Sequence, residues 1–197
     1  MVKFAMWDEI LREPRPDADL KYPTAILEYA RGMALSHKGD LAGAKTSLAV
    51  VKTLETDSAV AVLTMADINK IPDIIRIARC MLEGEIARAE GRRSESIQLL
   101  SEAVAFEDQL NFNEPPDWFF SIRHYLGQAL IEAGRYEEAE AVYRRDLLEH
   151  KSNGWALKGL QVSLEKQGKT AEAGVAERQY RKSWQYADRA LESSVLQ

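Results

Sequence analysis

Cysteine is nearly absent, Cys80 being the single one among 197 residues. No intrachain disulfide and no thiolate cluster can form within one chain, which fits a reducing compartment. Histidine is scarce too, at three. His37, His124 and His150 show none of the i, i+4 spacings that set two metal ligands on one helical face. His37 and His150 instead fit helix C-termini, where the helix dipole favours a cation. No G-x-S-x-G turn offers a strained nucleophile, and Cys80 beside Met81 and Leu82 reads as a small core residue. The expectation is therefore a non-enzymatic protein with no catalytic residue, no metal and no cofactor.

Long apolar runs are also missing, so no membrane-spanning segment is expected. Lys3, Asp8 and Glu9 interrupt residues 1–11, which does not read as a signal peptide, and the expected location is cytoplasmic. A basic excess is lacking as well. The net charge is −5 with a pI near 5.4, and the clusters at Arg144 and Arg145 and at residues 178–182 are short. Nucleic acid, which needs a basic face to neutralise phosphates, is not an expected partner.

What the chain does have is a recurring glycine, four spacers and a small residue: Gly39 and Ala44, Gly91 and Ser96, Gly134 and Ala139, Gly168 and Ala173. Each lies between two apolar-periodic stretches, the pattern of a turn between two helices. The last interval, Gly134 to Gly168, is 34 residues, and the two before it are 43 and 52, leaving room for insertions. With 46% hydrophobic residues the chain can bury a core as one domain. It divides into a half repeat at 1–13, a first repeat at 22–56, an inserted helix at 57–71 and a second repeat at 72–106. An inserted loop at 107–117, a third repeat at 118–150 and a fourth repeat with its cap at 154–197 complete it.

Pro14 and Pro16 end the first helix, and Pro72 suits the first turn of another. Val60, Leu63, Met65 and Ile68 give the insert its helical spacing, and Asp117 offers an N-cap after Pro115 and Pro116. Tyr180, Trp184, Ala187 and Leu191 recur at helical spacing, so the last helix is expected to run on as a long cap. Trp118, Phe119 and Phe120 cannot all face one side of a helix. They either seal the inserted loop or anchor a partner at a groove rim.

The best copy holds Leu126, Gly127 and Leu130, then Gly134 to Ala139, then Tyr143. It resembles the tetratricopeptide repeat pattern, whose period is about 34 residues. Gly32, Leu35 and Leu48 keep the same offsets in one further copy, Gly84, Ala87, Leu100 and Ala103 in another, and Leu160 and Leu164 in the last. The copies depart from the pattern where Glu28, Cys80, Arg123 and Leu157 replace tryptophan and Gln161 replaces a small residue. The resemblance covers about 22–185. It implies an all-α, right-handed superhelical solenoid of antiparallel helix pairs, closed by the long C-terminal capping helix.

The resemblance further implies that the first helices line a concave face. That face would carry Tyr29, Met33 and His37, then Met81, Glu85 and Arg88, then His124, Gln128 and Glu132, then Trp155, Lys158 and Val162. Met33, Met81 and Val162 read equally well as inner-layer packing. Tyr29, Met81 and His124 stand where a carboxylate-holding groove would want cations or amides, which disfavours that variety. The leading expectation is a scaffold that binds a protein or peptide partner. The alternative is a ligand-sensing or self-associating half of a larger regulator, with a homodimer possible. Phe4, Trp7, Ile10 and Leu11 resemble the second helix of a repeat that lacks its first, which leaves open a longer parent protein.

Overall fold

A computed structural model describes residues 1–196. Two compact units divide the chain, Met1–Phe120 and Ser121–Gln197. Nine α-helices occur among the described residues.

The first unit opens with a short 3-10 turn, Val2–Phe4, and α1, Trp7–Arg12, which stops ahead of the two prolines. Helices α2 (Lys21–His37) and α3 (Leu41–Glu55) form one packed pair, and α4 (Ile71–Ala89) and α5 (Arg93–Glu107) form the next. Pro72 sits in the first turn of α4, where its missing N–H costs nothing. The core of this unit is Tyr29 and Met33 from α2, Val51 from α3, Ile74, Ile75, Met81 and Leu82 from α4, and Leu100 from α5.

The second unit repeats the scheme with α6 (Arg123–Glu132) and α7 (Tyr136–Glu149), then α8 (Gly154–Lys166) and α9 (Thr170–Ser183). Leu130, Tyr143, Leu157, Leu160, Leu164 and Ala173 make its core. Glu140 of α7 accepts hydrogen bonds from Lys169, Gln167 and Arg144 at 2.7, 2.9 and 2.8 Å, tying α7 to the turn before α9. The Lys169 ammonium, with the other two donors, holds that carboxyl down to about 2.

All four pairs close through the same turn, and the glycines explain why. Gly39, Gly91, Gly134 and Gly168 have φ of 81, 77, 76 and 73°, the left-handed region in which a side chain is strained. In the last pair the Gly168 N–H donates to Glu165 and the Lys169 N–H to Leu164, a Schellman arrangement that satisfies the orphan carbonyls at the helix end. The other three turns repeat it residue for residue. The residue after each glycine is also the N-cap of the next helix, which keeps the connections short. At Asp40 the side chain itself accepts from the Gly43 N–H at 2.9 Å.

Three expectations are corrected. Residues 57–71 hold no inserted helix; they contain a small antiparallel hairpin, β1 (Thr64–Met65) and β2 (Asn69–Lys70). Ala66 and Asp67 both take positive φ at its tip, and the Thr64 hydroxyl donates to Asp67. Short polar side chains here offer the backbone local partners that compete with helical bonds, so apolar spacing alone misleads. Asp117 caps no helix: its carboxylate accepts from Asn69 and Asn113 at 2.7 and 2.8 Å, clipping the inserted loop to the hairpin. Finally, α9 ends at Ser183, and residues 184–196 contain no helix or strand. Trp184 turns back against Trp155 with centroids 5.3 Å apart, over Gly154, where an added Cβ would stand 2.3 Å from its ring. Leu191 reaches the core by this return of the chain rather than by a continued helix.

Candidate binding site

In the first unit the expected face is assembled from α2 and α4. Tyr29, Met33 and His37 follow one another at four-residue intervals along α2, and Met81, Glu85 and Arg88 lie on α4. The two rows meet: the Tyr29 hydroxyl donates to the Met81 sulfur at 3.1 Å, and His37 Nε2 stands 3.8 Å from the Glu85 carboxylate. Glu85 is engaged by Arg88, with Arg88 Nη2 at 3.1 Å. The His37 ring nitrogen has no hydrogen-bond partner. Burial, with the Arg88 charge close by, lowers the His37 pKa to about 4.

This face is not open. Tyr29, Met33, Met81 and Glu85 are buried, whereas His37 and Arg88 are half-buried. The chain's own aromatics cover it. Trp7 of α1 stacks on His37 with centroids 4.3 Å apart, and Trp118 packs on Tyr29 at 5.5 Å. Trp118 and Phe120 are buried while Phe119 is half exposed, and the three rings lie in the loop ahead of α6 rather than on a helix. Met33 and Met81 belong to the packed interior. The covering role of Trp7 was legible only as an unpartnered apolar stripe, with nothing to say which face it would meet.

Buried Glu28 has polar partners, whereas buried Cys80 behaves as part of the apolar core. Glu28, at a position where the repeat pattern prefers tryptophan, accepts from the Ser47 hydroxyl of α3 at 2.8 Å. Its other oxygen lies 3.2 Å from Arg15. Cys80 is buried and its thiol is pushed up to about 11 by that burial, an inert state.

In the second unit His124 turns away from solvent. Its Nε2 lies 3.4 Å from Asp146 of α7 and 3.1 Å from the Asn153 amide. His150 approaches the other Asp146 oxygen at 3.2 Å. Burial opposes the Asp146 charge, but hydrogen bonds from His124 and Ser121 and the His150 charge outweigh it and hold the carboxyl below its usual value. His124 is thus a buried link between α6 and α7, which removes it from the expected groove surface. Trp155 is buried under Trp184, and the Lys158 ammonium lies 5.5 Å above the Tyr180 ring of α9. Gln128 remains half-buried on α6 and donates to Glu132. Gln161, where a small residue was wanted, is buried and donates to Glu165; the close approach falls to Gly159 instead.

The repeat pattern included Tyr143 but gave no sign of how its ring is held. Its ring is held by glycines on two neighbouring helices: a Cβ added at Gly127 of α6 or Gly159 of α8 would stand 2.3 or 2.2 Å from its Cζ. The fixed hydroxyl meets Ser194 of the returning segment at 2.7 Å. No group of three or more metal-ligating side chains gathers among the described residues, and no helix among them is long and apolar enough to cross a membrane. No protein-family model, curated protein or solved structure matches this chain.

Proposed function

We propose that this chain is a degenerate tetratricopeptide-type scaffold that binds an extended segment of a partner protein on the first-helix face of its helix pairs. The right-handed solenoid of antiparallel pairs belongs to that proposal. The observation that carries it is the fourfold recurrence of one turn, the left-handed glycine with its paired carbonyl closures, each time joining two helices. An array of this kind supports binding rather than bond chemistry, because its polar groups are spent on each other: Arg88 on Glu85, His124 on Asp146, Gln128 on Glu132.

Arg88 and Gln128, half-buried on α4 and α6, are the positions where such a partner would be felt. A photo-crosslinking residue placed at either is expected to capture a discrete partner segment, and one at exposed Glu137 on α7 is not. Equal capture from all three positions would remove the first-helix faces as the site.

A further inference from the structure

Ser194 is completely buried although it lies in a segment with no helix or strand. Its hydroxyl donates to the main-chain oxygen of His124 at 2.7 Å and sits 2.7 Å from the Tyr143 hydroxyl, so both its donor and an acceptor position are used. Three residues earlier, Leu191 is buried, and its N–H donates to the Tyr180 hydroxyl at 2.9 Å. Between them Glu192 stays exposed. The segment, bent at residues 192–195, is therefore held by one aliphatic side chain, one hydroxyl and one main-chain bond, the kinds of contact by which peptides are commonly recognised.

The receiving groups owe little to the segment. Gly127 and Gly159 pin the Tyr143 ring between α6 and α8, and the His124 carbonyl is fixed within α6. Burial pushes the Tyr143 phenol well above its ordinary value, so the hydroxyl stays protonated. A site with its donor and acceptor set in advance binds at a lower ordering cost.

We infer that the α6 side of the second unit is a receptor for a bent peptide segment presenting an aliphatic residue and, three positions on, a small hydroxyl residue. Residues 191–194 occupy it as an internal ligand that a partner segment of the same pattern displaces. The inference rests on the reading of the first-helix faces as peptide-binding and adds the ligand class and its regulation. A tethered segment competes at an effective concentration on the order of millimolar, so the intact chain binds a free peptide weakly.

The probe is a fluorescent synthetic peptide of residues 186–196. The full chain carrying Leu191→Asp and Ser194→Arg, which ejects the internal segment, is expected to bind it at least tenfold more tightly than the unaltered chain. A peptide with its own Ser194→Ala change should lose about tenfold on that variant. Equal binding by both chains, or none by a variant that keeps its helicity and melting temperature, overturns the inference.

Should the double variant not fold, hydrogen exchange decides on the unaltered chain. Millimolar unlabelled peptide should speed exchange across residues 188–196 of the protein, and unchanged exchange there overturns the inference. Crosslinking at Gln128 without displacement would leave the scaffold reading standing and remove the internal ligand alone.

Discussion

His37 is a residue whose chemistry folding alters in a way that pH can read. Its ring lies between Trp7, which stacks on it, and the Glu85 and Arg88 pair, which leaves its Nε2 without a hydrogen bond. The unfolded chain takes up this proton near 6.5, and the folded chain only near 4. Unfolding therefore binds a proton between those values, and stability should decline as the pH falls from 6.5 to 4. In His37→Gln that part of the decline should vanish from denaturation midpoints measured across the window; an identical pH profile would show that the ring is already charged. In the structure Tyr29 meets Met81 and His37 nears Glu85; the resemblance set these residues on one expected face without pairing them. It could not say that the face is covered, since Trp7 and Trp118 arrive from distant parts of the chain.

At the scale of the element, the turn glycines and the packing glycines do different work. Gly134 has φ 76° and nothing within 4 Å of an added Cβ, so a side chain there meets open space but a strained backbone. Gly134→Val should lower stability by about 1–2 kcal/mol, read as a shift of the denaturant midpoint, with no shift expected only if the turn relaxes out of the left-handed region. Helix limits between 21 and 55 and between 71 and 107 follow the spacing closely, since amphipathic periodicity and terminal glycines agree there. The hairpin at 64–70 and the end of α9 escaped, each for an identifiable reason. Asp67 and Thr64 bond locally instead of continuing a helix, and Trp184 packs over Gly154 and against Trp155 where α9 stops.

For the whole molecule, the helices set the optical signature: far-ultraviolet circular dichroism should show the helical double minimum, with the two-residue strands too short to register. A strand-dominated spectrum would refute the architecture. The periodicity of 3.6, the left-handed glycines and the small residues at helix crossings are local properties, encoded within a dozen residues of one another. They were enough to indicate the helices and the glycine turns between them, but not which faces are buried: Tyr29, Glu85, His124 and Trp155, expected on an open groove, lie inside. What only tertiary structure decided is which chain segments lie on those faces: Trp7 on His37, Trp118 on Tyr29, Leu191 and Ser194 on the Tyr180 and Tyr143 hydroxyls. Such contacts join residues up to 89 positions apart. They depend on the net free energy of closing long loops over apolar surface, a sum over distant side chains that no local pattern records.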